Sequence, residues 1–304
     1  MPRETIFIPT SVGRIEAYVY IPKQTRQILP VVILGCGVGA VKAAGLQAFA
    51  QAFCDEGYAA IAFDYLTFGG SEGTPRHVVI VWNQYRDFRN VVSWARQDPR
   101  FDSSRIVIWG TSFAGMHVTR LLSEDPNIVA GIAQCPCVDA ALASRMKPFL
   151  STLRLTFWAV CDGIGSLFGA NPIYLQAADT RNGRNLSLMA GQDVVEGWEL
   201  LHKYIGDNEG VDPFYNKIAA RSLLSFPISR PATAAHLIVA PYLIVVPKHD
   251  SVAPKEVAKQ VAKVSKQGEL LEVEGGHFDV YRGGVGYERN LKGQLEFLKR
   301  VVPL

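Results

Sequence analysis

Ile106-Val107-Ile108-Trp109-Gly110-Thr111-Ser112-Phe113-Ala114-Gly115 is the stretch on which the fold turns. A β-branched and aromatic run reaches Gly-x-Ser and passes at once into Met116-His117-Val118-Thr119-Arg120-Leu121-Leu122, which has helical spacing. The pattern predicts a strand, a sharp turn and a helix, with Ser112 at the apex and its hydroxyl exposed at the strand's carboxyl end. Such a turn is too tight for large flanking side chains, and Gly110 meets that need. The second small position is Ala114, with Gly115 beside it. The same residues also satisfy an ordinary strand-to-helix turn whose serine merely caps the helix. Taken alone, the segment leaves a nucleophile and a cap both open.

Working toward the start of the chain, Thr5 to Ile8 and Arg14 to Ile21 read as an antiparallel hairpin around Pro9-Thr10-Ser11-Val12-Gly13. Pro30 to Gly35 is a continuous apolar run, as in a strand covered on both faces, and it empties into the small-residue loop Cys36-Gly37-Val38-Gly39. Ala44 to Glu56 reads as a helix closed by Gly57, followed by a strand from Tyr58 to Asp64 and a turn-rich loop from Tyr65 to Pro75. Trp82 to Arg96 is helical, its stripe of Trp82, Tyr85, Phe88, Val92 and Ala95 facing a sheet. Ile128 to Cys135 adds a strand.

Alternation stops after Val138. Helical stretches at Ala140 to Leu155 and Val194 to Tyr204, separated by segments such as Gly163 to Pro172 and Asp179 to Asn185, read as a helical cap inserted at 139–236, and Ala232 to Leu237 leads back to the strand pattern. The pattern resumes with strand Pro241 to Pro247, helix Lys255 to Val264, strand Glu269 to Glu274 and helix Tyr287 to Val301. The expectation is an α/β fold, a mostly parallel sheet with helices on both faces, whose core is 1–138 and 237–304.

Ser112, Asp250 and His277 each follow a buried strand closely, so a parallel sheet delivers all three to one edge. Their order, Ser then acid then His, is that of the catalytic set carried by an α/β-hydrolase sheet. The residue types suit the chemistry: a neutral imidazole takes the serine proton, and a buried carboxylate fixes the imidazole's tautomer and stabilises its cation. Backbone N–H groups of Val38 and Phe113 are the expected donors to the oxyanion. Asp279 is the next acid to consider, while His249, His77, His117, His202 and His236 lack supporting context. Large apolar residues of the cap, Phe157, Trp158 and Phe168 among them, are candidates for a substrate pocket beyond the strand ends.

Composition bounds the rest. The chain has 304 residues, 48% hydrophobic, enough for a large core, and a net charge of +3 with no basic run, so no nucleic-acid footprint is expected. No apolar run approaches the ~18 residues of a membrane span, and Met1-Pro2-Arg3-Glu4-Thr5 lacks the features of a signal peptide. Cys36, Cys54, Cys135, Cys137 and Cys161 are odd in number and show neither disulfide-framework nor metal-site spacing, which fits reduced thiols in the cytoplasm. No metal or other cofactor is expected.

Five stretches carry a resemblance: Cys36-Gly37-Val38-Gly39-Ala40-Val41-Lys42, Asp64-Tyr65-Leu66-Thr67-Phe68-Gly69-Gly70-Ser71-Glu72-Gly73, Trp109 to Gly115, His249-Asp250-Ser251-Val252-Ala253-Pro254 and Gly275-Gly276-His277-Phe278-Asp279-Val280-Tyr281. Together they resemble the α/β-hydrolases of the dienelactone-hydrolase and X-prolyl-peptidase-like group, and within it the bacterial and fungal members encoded with polyketide pathways, including fungal polyketide transferases. Cys36 stands where that family has the histidine of His-Gly-x-Gly, and Leu66-Thr67 where it has Arg-Gly. The resemblance implies a serine hydrolase or acyltransferase acting on an ester or thioester through a Ser112 acyl-enzyme. It equally admits carbon–carbon bond cleavage on the same triad, and a non-catalytic ligand-binding use of the fold is the alternative of a different class. The partner implied is a small apolar acyl substrate, either free or presented as a thioester on a carrier protein; a homodimer stays open.

Overall fold

The computed structural model describes residues 3–23, 28–179, 186–203 and 214–304. The opening hairpin is β1 (Glu4–Thr10) and β2 (Gly13–Tyr20), antiparallel from Glu4 opposite Val19 to Thr10 opposite Gly13. Then come β3 (Leu29–Gly35), α1 (Leu46–Asp55), β4 (Ala59–Phe63), α2 (Val81–Gln97), β5 (Phe101–Thr111), α3 (Phe113–Glu124) and β6 (Ala130–Gln134). Every residue of β3, β4 and β6 is buried. That is what continuous apolar runs require, since each Val, Leu or Ile so covered contributes about 1.5–3 kcal/mol.

Between β6 and the next strand of the main sheet the chain forms α4 (Ala140–Arg145), α5 (Phe149–Leu167), β7 (Tyr174–Ala178), β8 (Ser187–Met189), α6 (Gln192–Lys203) and β9 (Ile218–Ala219), with 3₁₀ turns at Ala220–Ser225 and Pro231–Leu237. The chain closes with β10 (Pro241–Pro247), α7 (Lys255–Val264), β11 (Gln267–Val273) and α8 (Tyr287–Val301). Eight strands form one sheet in the order β1-β2-β4-β3-β5-β6-β10-β11. From β4 to β11 all neighbours are parallel, so β3, β5, β10 and β11 end on one edge.

Three expectations need correction. Ala140 to Leu155 is two helices, because Pro148 lacks an N–H and its ring drives Lys147 out of helical geometry; α5 then continues to Leu167 through Gly163 and Gly165. The inserted segment is not wholly helical, since β8, β7 and β9 make a small sheet in that order. Trp82 does not face the sheet: it is 44% exposed, its ring covered by the Arg120 guanidinium at 4.0 Å, and Val81 and Val91 join the buried stripe. Tyr204 and residues 180–185, parts of two stretches read above, lie outside the described residues. All five cysteines are free thiols, and among the described residues no helix is long and apolar enough to cross a membrane.

Candidate active site

Ser112 sits between β5 and α3 at φ 52° and ψ −114°, the geometry of the first central residue of a type II′ turn, which glycine usually takes. A side chain there costs about 1–3 kcal/mol and persists only where its surroundings enforce it. They do: Ser112 N–H donates to Gln134 O at 2.9 Å, while Ser112 O accepts from Gly115 N and Cys137 N at 3.0 Å each. A Cβ on Gly110 would lie 2.6 Å from the Ala114 carbonyl, and one on Gly115 would lie 2.4 Å from Pro136 Cβ. The small residues around the serine therefore let α3 close directly onto its own strand and onto the chain beyond β6.

The structure brings Ser112, Asp250 and His277 together. Ser112 Oγ is 2.9 Å from His277 Nε2, and His277 Nδ1 is 3.0 and 2.9 Å from the two Asp250 oxygens. A carboxylate can only accept, so Nδ1 donates to Asp250 and Nε2 is left with a lone pair toward the serine hydroxyl. Val252 N–H and Ala253 N–H each donate to Asp250 Oδ1 at 2.8 Å and hold the carboxylate in place. Burial disfavours the imidazolium, yet the Asp250 carboxylate, with a contribution from Cys135, outweighs it and raises the His277 pKa well above 6.5. Asp279 has another task. Its carboxylate accepts Gly276 N–H at 2.7 Å and crowds Gly275, so it braces the loop that presents His277. His249 is exposed beside that loop, bonded through its backbone N–H to Gly275 O.

Val38 and Phe113 both reach the cavity that opens on Ser112, and among the described residues no backbone acceptor takes either N–H. The loop lies close to the serine: a Cβ on Gly37 would stand 3.3 Å from Ser112 Cβ. The Cys36 thiol turns inward and donates to Ala40 O at 3.1 Å. Farther along the same loop Lys42 is fully buried, its ammonium paired with Asp64 and with Glu16 at 2.5 Å, and its N–H given to Asp64 at 2.6 Å. Burial disfavours the charge, but the two carboxylates raise the Lys42 pKa above its ordinary value.

A cavity of about 170 Å³ lies over Ser112. Its walls are supplied by Ala140 to Pro148 at the α4–α5 junction, by Leu188, Met189 and Ala190, and by Phe226 and Val252. Phe157, Trp158 and Phe168 do not line it: they are 59%, 42% and 84% exposed on α5 and just beyond its end. An apolar stripe marks a helix's sticky side without saying what it sticks to, and the buried residues of α5 are Leu155, Ala159 and Asp162.

The sequence comparisons follow the geometry. A family model described as X-Pro dipeptidyl-peptidase (S15 family) matches residues 13–279. The chain belongs to that family of α/β-hydrolases. The chain is 35% identical to the quorum-quenching protein AidA of Acinetobacter baumannii over 95% of this chain and 91% of that one. It is 25% identical to the polyketide transferase grgF of a Penicillium species, over 89% and 88% of the two chains. The crystal structure of the α/β hydrolase GrgF from Penicillium superposes over the full length of both chains with a TM-score of 0.81 at 22% identity, and a structure of DcsB in complex with its substrate analogue does so over 99% of both with 0.82 at 23%. These superpositions speak for the fold.

In this S15-family chain two groups of residues escaped the sequence reading. One is the cavity wall, above all Lys147, whose signal was its place immediately before Pro148. The other is a buried hydrogen-bond network behind the elbow. Trp109 Nε1 donates to Gln294 Oε1 at 2.7 Å, Gln294 Nε2 to Asn290 Oδ1 at 2.6 Å, and Asn290 Nδ2 to Gln134 Oε1 at 2.8 Å. Gln134 Nε2 in turn donates to Thr111 Oγ1 at 3.1 Å, which is 2.7 Å from the Tyr281 hydroxyl. Polar residues recurring at 290 and 294 on one face of α8 were the readable clue.

Proposed function

We propose that the protein is a serine hydrolase or acyltransferase that takes an acyl group from an ester or thioester onto Ser112. The observation that carries this reading is the unbroken line of hydrogen bonds from Asp250 through His277 to Ser112, ending at the floor of an apolar cavity. As Oγ attacks the carbonyl carbon, His277 Nε2 takes its proton, and the Val38 and Phe113 N–H groups receive the charge on the former carbonyl oxygen. The tetrahedral intermediate collapses, the carbon–oxygen or carbon–sulfur bond breaks, and His277 hands the proton to the departing alcohol or thiol. Water or another acceptor then attacks the acyl-enzyme with His277 again as base.

Residues 139–236 serve in this reading as a cap over the 1–138 and 237–304 core. Relatedness to a polyketide transferase supports a polyketide-derived acyl group, carried as a thioester on a small molecule or on a carrier protein. Five free thiols suit a reducing compartment such as the cytoplasm. A fluorophosphonate tests the reading: it labels wild type and leaves Ser112→Ala untouched. Folded wild type that takes no label would overturn the reading in favour of a non-catalytic ligand-binding protein.

A further inference from the structure

Lys147 is out of keeping with the cavity it lines. Among the described residues that wall the space over Ser112, it is the one side chain that carries a charge, set among Ala143, Met146, Pro148, Leu188 and Met189. Its ammonium donates to Leu188 O, and among the described residues no carboxylate pairs with it. Burial pushes its pKa below the ordinary lysine value, offset only in part by Cys137, and no carboxylate acts to restore the charge. The neighbouring Cys137 thiol, pushed up to about 12 by its own burial, supplies no anion at neutral pH.

An ammonium has three protons to give, and one carbonyl oxygen takes one of them. Holding such a group among apolar walls is costly unless something accepts the rest. Water meets that need while the cavity is empty; an acyl chain that filled the cavity would displace water from the cavity side of this half-buried ammonium and weaken its solvation unless it brought an oxygen of its own. A hydrocarbon chain is thus penalised at this position and an oxygen-bearing one is accepted, because leaving a buried donor unpaired costs more than a made hydrogen bond gains.

Resting on the acyl-transfer reading above, we propose that Lys147 is a specificity-determining residue, selecting acyl groups that carry an oxygen acceptor, an oxo group or a carboxylate, along the chain away from the carbonyl that Ser112 attacks. Lys147 takes no part in bond making; it recognises the chain.

The test uses the full-length protein and matched acyl thioesters of equal length: a plain alkanoyl, an oxoalkanoyl and an ω-carboxyalkanoyl series. In wild type the better oxygenated substrate exceeds its methylene counterpart in kcat/KM by about tenfold to a hundredfold. In Lys147→Met that ratio falls to within about threefold of unity, and Lys147→Arg, which keeps donors and charge, restores part of it. Preference in the carboxyl series alone identifies an anion as the ligand, and preference in the oxo series a neutral carbonyl. A wild-type ratio near one for both series overturns the proposal without any variant. So does a ratio that Lys147→Met, checked for folding by its thermal melt, leaves unchanged. Wild type that fails to take fluorophosphonate at Ser112 brings down the underlying reading instead, which keeps the two failures apart.

Discussion

Lys42 is fully buried and Lys147 half-buried near the same serine, and their surroundings treat them in opposite ways. Lys42, in the loop that also carries Val38, meets two carboxylates and its pKa rises; Lys147, in the wall above Ser112, meets one carbonyl and its pKa falls. The same division runs through the two regions. Along the sheet edge the side chains behind Ser112 are answered from within: Asp250 by two N–H groups and His277, Asp279 by Gly276, Gln134 by Asn290. In the wall, apolar surface and a cation answered by a single carbonyl face the cavity. On the acyl-transfer reading, the edge holds the reacting atoms still and the wall leaves its interactions to be completed by a substrate.

Breaking the edge gives the largest effect. Ser112→Ala, His277→Ala and Asp250→Asn each lower turnover by about four orders of magnitude, and double variants are scarcely worse because the three act as a unit. Steady-state and single-turnover rates check this; Asp250→Asn within about tenfold of wild type would reassign the acid.

The lysine comparison itself is sharpened by unfolding in urea. Lys42→Met leaves Asp64 buried without its cation and costs about 3–5 kcal/mol, and adding Asp64→Leu recovers a large part of it. Lys147→Met has no buried carboxylate to abandon and leaves stability within about 1 kcal/mol. Equal losses in both would dissolve the contrast.

Smaller effects come from the apolar wall. Phe226→Ala and Met189→Ala, which open the cavity, shift the relative kcat/KM of long and short acyl substrates by up to about 1–3 kcal/mol per methylene recognised. A chain-length series shows whether the optimum moves; a fixed optimum places the acyl chain elsewhere.

The pH dependence is gentler still, about 1.4 kcal/mol per pH unit. His277 must be neutral to accept the serine proton, and its pKa is raised, so kcat/KM falls on the acid side with a midpoint above 6.5. Stability runs the other way. A raised folded-state pKa contributes stability that is fully present below about 6.5, the unfolded value, and is lost as pH rises through the folded value. Melts and rates across pH 5 to 9, taken on wild type and Ser112→Ala, display the opposed trends; an acid limb below about 6 would contradict the electrostatics. Smallest of all, Phe157→Ala and Phe168→Ala on the outer face leave the chain-length profile alone and change stability by about 0.5 kcal/mol or less.

The sheet edge was legible in the sequence because a parallel sheet turns position along the chain into position in space. Ser112, Asp250 and His277 each needed only a buried strand before them to be assigned to one edge. The wall had no such rule. Lys147, Leu188 and Phe226 come from three separate segments, and their meeting depends on how α4 and α5 diverge at Pro148 and on how β8 comes to lie beside Lys147. Hydrophobicity misled at Phe157, Trp158 and Phe168, as it did at Trp82, since an aromatic side chain can lie flat on a surface or stack under an arginine without entering a core.

The hydrogen bonds behind the elbow also set an order in time. A chain leaving the ribosome exposes residue 112 well before 250 and 277, and Asn290 and Gln294, which reach Gln134 and Trp109 beneath the serine, emerge after all of them. Until residue 277 emerges the hydroxyl lacks its base, and until Asn290 and Gln294 follow it lacks the support beneath its strand. On the acyl-transfer reading, a nascent chain stalled before residue 277 therefore carries an inert serine, and the support beneath its strand is complete only once α8 has been made and has docked.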